Sequence, residues 1–217
     1  ELFEEVARDR ELRKELKDAS DMQAQLLPNI APQLAGCQIA GRCLAARAVC
    51  GDYYDFFKLP GQRVGLAVGD VCGRGMPASL LMAELQSQVR TQAPTTESLG
   101  ELLRRINRQL YRAAQGSKYC TFFFGIYDCA RRRLEFVNAG HNPPLLVGPR
   151  AFRFLESTGL PLGLFPEVSH EARVETLDPG AILVLYSDGL LEARNARGET
   201  YGVERLVSVL TRARDGD

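Results

Sequence analysis

The chain has no excess of charge: 27 basic residues balance 27 acidic ones among 217, and no Lys/Arg block stands out. Nucleic-acid binding draws its affinity from a basic surface, so that class of function is disfavoured. No apolar run approaches the roughly 18 residues of a membrane span, and no secretory signal pattern opens the sequence. Histidine is scarce, with two in the chain, and the six cysteines at 37, 43, 50, 72, 120 and 129 include no Cys-x-x-Cys pair. That pattern argues against a structural zinc site. Four of the six fall in apolar, strand-like runs, where a reduced thiol acts as a small hydrophobe, and a cytoplasmic protein is expected. The chain begins at Glu1 without a Met, which reads as a fragment or processed chain.

The length suits one large domain, or one domain with an appendage, and buries roughly 70% of its unfolded surface without disulfide staples. Residues 1–27 differ from the rest: Glu, Arg, Lys and Leu dominate, and neither Gly nor Pro occurs before Pro28. Leu12, Leu16, Ala19, Gln23 and Leu26 follow three–four spacing, so the segment reads as one helix ended by Pro28. Two readings are open for it: a helix packed on its own domain, or a short coiled coil joining two chains or an upstream domain. Strand signals cover 38–49, 53–59, 64–71, 119–127, 132–138, 144–148, 152–155, 172–177 and 181–187. Helical periodicity marks Pro77 to Gln92 (Leu80, Leu81, Leu85, Val89), Glu97 to Ala114 (Leu99, Leu102, Leu103, Ile106, Leu110) and Val203 to Arg212. Antiparallel sheets covered by helices, an α+β fold, follow.

Three aspartates carry the chemistry. Val64 to Val71 is a β-prone run that meets Asp70, passes the turn Gly73-Arg74-Gly75 and enters a helix at Pro77. Cys50-Gly51-Asp52 follows the run Leu44 to Val49, and Ser187-Asp188-Gly189 follows Ala181 to Tyr186. A carboxylate at a buried strand end is costly unless a cation or donors compensate it. Each Asp-Gly pair alone is read as a turn; three at three strand ends read as a converging site. Hard oxygen donors without His or Cys favour Mg²⁺ or Mn²⁺, and two such ions can clamp a phosphoryl group.

Cys50-Gly51-Asp52-Tyr53-Tyr54-Asp55, Gly69-Asp70-Val71-Cys72-Gly73-Arg74-Gly75, Thr121 to Gly125, Asn138 to Pro144, Gly159 to Gly163 and Tyr186 to Ala193 occur in this order. Together they resemble the bacterial PPM-type (type 2C-like) serine/threonine phosphatases of the SpoIIE/RsbU branch, over about residues 20–210. The resemblance implies an αββα sandwich of two antiparallel sheets flanked by helices, with an N-terminal linker helix (residues 1–27) before a phosphatase domain (28–217). It implies two Mn²⁺ or Mg²⁺ ions, with Asp70 bridging them, the Val71 carbonyl binding one, and Asp52 and Asp188 completing the shells. It further implies in-line attack of a metal-bound hydroxide on phosphoserine or phosphothreonine.

Substrate and regulation follow from the same resemblance: a phosphorylated STAS-domain antagonist of an anti-sigma factor and an upstream sensory domain; the coiled-coil reading of residues 1–27 adds a homodimer through that segment. A catalytically weak or silent PPM-fold interaction module in a partner-switching pathway is the alternative. Its support is a departure: the branch usually places a further metal-binding aspartate in a strand after the last helix, whereas this sequence ends at Arg214-Asp215-Gly216-Asp217. A two-metal nuclease is opposed by the neutral charge. Cys50 stands where the branch has Gly and Cys72 where it has Ser; both read as small residues tolerated by packing, or as redox-sensitive groups beside the ligands. Arg47 stands where some PPM phosphatases bind phosphate, and otherwise reads as an exposed strand arginine. His141 reads as a turn histidine or a proton donor, Arg74 as a substrate contact or an exposed turn residue. Phe122, Phe123 and Phe124 alternate faces along a strand, so they read as core.

Overall fold

The computed structural model describes residues 2–44, 48–149 and 151–215. A helix α1 (Leu2–Leu26) leads into a five-stranded antiparallel sheet, ordered β1 (Asp52–Leu59), β2 (Arg63–Val71), β3 (Cys120–Asp128), β4 (Arg133–Ala139) and β7 (Arg173–Thr176). Helices α2 (Met76–Gln92) and α3 (Leu99–Ala114) lie between β2 and β3 in the chain. A second sheet is ordered β6 (Phe152–Phe154), β5 (Leu145–Val147), β8 (Ile182–Val184), and short α4 (Asp188–Glu192) and α5 (Gly202–Asp215) follow.

The layers follow from side-chain alternation. Phe122 and Phe124 of β3 pack with Leu81, Met82 and Leu85 of α2 and Leu102, Leu103 and Ile106 of α3. Phe123, between them, points the other way and packs with Leu134, Phe136, Leu146, Leu155 and Leu177 between the two sheets. Leu145 and Val147 of β5 face Leu206, Val207 and Leu210 of α5. The order is helices, sheet, sheet, helix, the αββα sandwich. All three phenylalanines are fully buried, each contributing about 1.5–3 kcal/mol of transfer free energy.

The α3 stripe is buried as its spacing predicts, and the helix starts at Leu99 because the Ser98 hydroxyl accepts from the Glu101 N–H. In α2, Leu80 is exposed and Met82 takes its place in the core. Gly73 (φ 98°) and Gly75 (φ 71°) hold the turn into α2 in the left-handed region that favours glycine.

One strand expected from sequence is absent: residues 38–44 and 48–49 form no strand, and 45–47, with Arg47, lie outside the described residues. Asp52 consequently opens β1 rather than ending a preceding strand. Asp188 opens α4, a helix the periodicity missed because it is five residues long. Segment 38–44 instead crosses the outer face of β1: a Cβ on Gly41 would fall 2.6 Å from the Tyr54 ring and 2.7 Å from that of Phe56.

Helix α1 meets the domain only over its last turns, where Leu16, Ala19, Ser20, Gln23 and Leu26 are partly or wholly covered. Phe3, Val6, Leu12 and Met22 are exposed. Gln86 donates to the Leu26 carbonyl (3.2 Å) and the Tyr54 hydroxyl to that of Pro28 (3.0 Å), which fastens the helix end to α2 and β1.

Candidate metal centre

Strand pairing brings the first two aspartates together. Asp52 and Asp70 are directly opposed across the β1–β2 ladder. Side chains of opposed residues share a face with Cβ atoms about 5 Å apart, and this face is turned away from α2 and α3, which Tyr53 and Val71 address. Burial first, and then Asp52 and Asp188, push Asp70 up to about 6. Asp52 is also raised, by burial and then by Asp188. The third carboxylate is therefore close enough to act on both. No Lys or Arg among the described residues relieves either shift. Like charges gathered without a protein counter-ion favour an external cation.

Two further features fit a hard cation. A Cβ on Gly51 would lie 2.6 Å from the Val71 carbonyl oxygen and 3.2 Å from Asp70 Oδ1, so only glycine leaves that carbonyl and carboxylate room. The Gly51 carbonyl in turn accepts from the Val71 N–H (3.3 Å). Asp52, Asp70 and the Val71 carbonyl offer oxygen, the donor chemistry of Mg²⁺ and Mn²⁺, while the carboxylates of Asp52, Asp70 and Asp188 do not all close to within 4.8 Å of one another.

His141 explains how Asp188, on the second sheet's side, is held near the first. Its ring bridges Thr121 Oγ1 (3.0 Å from Nδ1) and the Tyr186 carbonyl (3.2 Å from Nε2). Thr121 opposes Asp70 from β3, and Tyr186 precedes Asp188 by two residues. A carbonyl only accepts, so Nε2 carries the proton and Nδ1 accepts from the threonine hydroxyl. Burial lowers His141 to about 4, against the opposing effects of the Tyr186 carbonyl and Asp188. At 3% exposure and bonded at both nitrogens, the ring ties β3 to the segment that enters α4.

The other sequence blocks form the frame. Asn138 accepts from the His141 N–H (2.8 Å) and donates to the Leu155 carbonyl (3.2 Å). Leu162 pairs through both backbone groups with Cys120 (2.8 Å each), and Asn107 of α3 accepts from Gly163 (2.8 Å). Asp55 faces away from the aspartate cluster: Arg90 of α2 forks onto it (2.6 Å twice) and the Tyr53 hydroxyl adds a third bond (2.9 Å). Cys72 exchanges backbone and thiol contacts with Tyr119: its N–H donates to the Tyr119 carbonyl (2.9 Å), and its sulfur accepts from the Tyr119 N–H (3.2 Å). Arg74 is exposed on the turn.

Two polar residues beside the site have contacts that the sequence did not assign. Gln23 of α1 donates to the Cys50 carbonyl (2.8 Å) and accepts from its N–H (3.0 Å), two residues before Asp52. Lys118 donates to the Cys72 carbonyl (3.3 Å), placing a cation over the Gly73 turn. Neither sits in a pattern that names a partner; Gln23 reads only as a member of a helical stripe.

Two antiparallel sheets between helices, with Asp52 and Asp70 opposed on the first sheet, define the PP2C-type fold. The SiaA-PP2C domain of Pseudomonas aeruginosa superimposes with a TM-score of 0.74 at 18% identity, covering 97% of this chain and 84% of that one. The chain belongs to the Stage II sporulation protein E (SpoIIE) family, which matches residues 60–217. Among sequences, it is 28% identical over 201 residues to the phosphoserine phosphatase RsbU of Bacillus subtilis, covering 91% of this chain and 60% of RsbU. The structure of the RsbU and RsbW domains of Rv1364c from Mycobacterium tuberculosis matches at 31% identity and a TM-score of 0.65, over 78% of this chain and 48% of that one. The chain spans about three-fifths of RsbU and a smaller share of the other curated relatives it matches.

Proposed function

We propose that this domain is a metal-dependent phosphatase acting on phosphoserine or phosphothreonine in a protein. One observation carries the reading: Asp52 and Asp70 are cross-strand partners, raised together by burial and by Asp188, with no cation among the described residues in compensation. Asp52, Asp70, Asp188 and the Val71 carbonyl would hold two hard divalent cations, Mg²⁺ or Mn²⁺. Bound there, such cations supply charge against phosphoryl oxygens and lower the pKa of a water. The chain's own part is positional: the β1–β2 register fixes two carboxylates, the His141 bridge fixes the approach of the third, and Gly51 keeps the space between them open. Lys118, reaching the turn after Asp70 from the segment before β3, adds a positive charge for an anionic substrate.

The named activity of RsbU supports the phosphoserine class. The substrate we propose is a STAS-type antagonist of an anti-sigma factor, and the regulator a sensory domain preceding α1. The exposed Phe3, Val6 and Leu12 on α1 support pairing through residues 1–27 with a second copy. Hydrolysis of p-nitrophenyl phosphate and of a phosphoserine peptide, with Mn²⁺ and with EDTA, tests the reading. Mn²⁺-dependent turnover abolished in Asp70→Asn is expected; turnover that is absent, or that survives both EDTA and Asp70→Asn, overturns it.

A further inference from the structure

Beside the oxygen-donor cluster lies a second and chemically different one. Cys43 Sγ, Cys50 Sγ and a carboxylate oxygen of Asp52 all lie within 4.8 Å of one another, and all three residues are half-buried. Both thiols are free. The spacing Cys-x₆-Cys-x-Asp matches no common zinc signature, so the grouping arises from the fold.

Each member is held by a different anchor. Asp52 is fixed by its ladder partner Asp70. Cys50 is fixed through both backbone groups by the Gln23 amide, at 2.8 and 3.0 Å. Cys43 follows Gly41 by two residues, and Gly41 is pressed onto the Tyr54 and Phe56 rings of β1. Two sulfurs at about 2.3 Å from a tetrahedral Zn²⁺ stand about 3.8 Å apart. The present separations, none above 4.8 Å, exceed that spacing by about 1 Å at most. Thiolates select thiophilic ions over Mg²⁺ and Mn²⁺, which prefer all-oxygen sites.

We propose that Cys43, Cys50 and Asp52 form a binding site for a thiophilic divalent cation, Zn²⁺, which withdraws Asp52 from the neighbouring oxygen-donor centre and so inhibits the domain. The binding half stands on the cluster alone; the inhibitory half rests on the phosphatase reading. In this site Cys43 and Cys50 bind as thiolates, each releasing its proton to solvent, and Asp52 supplies the oxygen. A water completes four-coordination, since both cysteines are only partly buried.

Co²⁺ is the probe, because a thiolate bound to it gives a charge-transfer absorption that oxygen ligands do not. The full 217-residue chain, reduced and in excess Mg²⁺, is titrated with Co²⁺ and then with Zn²⁺. One equivalent of Co²⁺ raises the charge-transfer band and one equivalent of Zn²⁺ abolishes it. The band is lost in Cys43→Ser/Cys50→Ser and retained in the control Cys37→Ser/Cys129→Ser. No band in the parent chain, or a band retained in Cys43→Ser/Cys50→Ser or lost in the control, overturns the site. Circular dichroism on each variant separates loss of ligands from loss of fold, and the single variants Cys43→Ser and Cys50→Ser, each weakening the Co²⁺ band, provide a second reading. Mn²⁺-dependent hydrolysis of p-nitrophenyl phosphate then tests inhibition. Stoichiometric Zn²⁺ cuts the parent rate by at least about tenfold and leaves Cys43→Ser/Cys50→Ser unaffected; equal sensitivity of the two overturns it. If no protein turns over substrate, the phosphatase reading fails and the inhibitory half with it, while the absorption still decides whether the cation binds.

Discussion

Gly51→Ala isolates the space between the aspartates. The added methyl carbon would lie 2.6 Å from the Val71 carbonyl oxygen and 3.2 Å from Asp70 Oδ1. A carbon does not approach a backbone oxygen closer than about 3.0 Å, so that carbonyl must retreat by roughly 0.4 Å or more. The retreat is resisted, because Val71 is 1% exposed in the helix-facing core, pairs with Cys120 of β3, and donates its N–H back to the Gly51 carbonyl. Overpacking of this kind costs about 1–3 kcal/mol. The φ of Gly51 is not in the left-handed region, so the penalty is steric and falls on the Val71 carbonyl and Asp70 rather than on the backbone of residue 51. Displacement of groups at a metal centre typically weakens affinity or activity by about 10–100-fold. Urea unfolding in EDTA measures the first quantity, and Mn²⁺ titration by calorimetry the second. Stability within 0.5 kcal/mol (about the spread of neutral surface changes) together with unchanged Mn²⁺ affinity would refute the argument that Gly51 keeps the site open.

Three further outcomes are expected. The metal-free protein loses stability as pH rises from about 5 to 7: folded Asp70 at about 6 binds more protons there than the unfolded carboxylate at 3.8, so deprotonation favours the unfolded chain. Thermal unfolding in EDTA reads that fall, and Asp70→Asn flattens it; a melting temperature rising over this range contradicts the assignment. Arg90→Met leaves the Asp55 carboxylate, whose side chain is 0% exposed, with Tyr53 as its remaining partner, and costs about 3–5 kcal/mol in urea unfolding; a loss below 1 kcal/mol would mean that water replaces the guanidinium. His141→Ala removes two ring hydrogen bonds, costing about 1–3 kcal/mol, and lowers Mn²⁺ affinity without moving the acid or base limbs of the pH–rate profile; a shifted limb would restore His141 as a proton-transfer group.

The helical faces and the alternation at Phe122–Phe124 were legible because burial imposes periods of 3.6 and 2 on the residues themselves. The three aspartates were legible because an ionised group beside an apolar run conflicts with its neighbours. Local pattern failed where a distant contact decided the outcome. Segment 38–44 has strand composition, yet it lies over the rings of β1 with Gly41 against Tyr54 and Phe56. Leu80 has the spacing of a core residue, but Met82 takes the buried place. Asp55 belongs to the same short block as Asp52, and three residues along a strand place it on the opposite face, where Arg90 holds it.

By itself, the amino-acid order determined which residues can act: three carboxylates beside glycines, in a chain of balanced charge with no apolar run of membrane-spanning length. Only the tertiary structure decided which of them meet. The β1–β2 register sets Asp52 against Asp70, and His141 ties the start of α4 to β3 so that Asp188 acts on both. The same packing gathered Cys43 and Cys50 beside Asp52. Proximity across a sheet depends on register and on the path of the intervening chain, neither of which is a property of any local stretch of sequence.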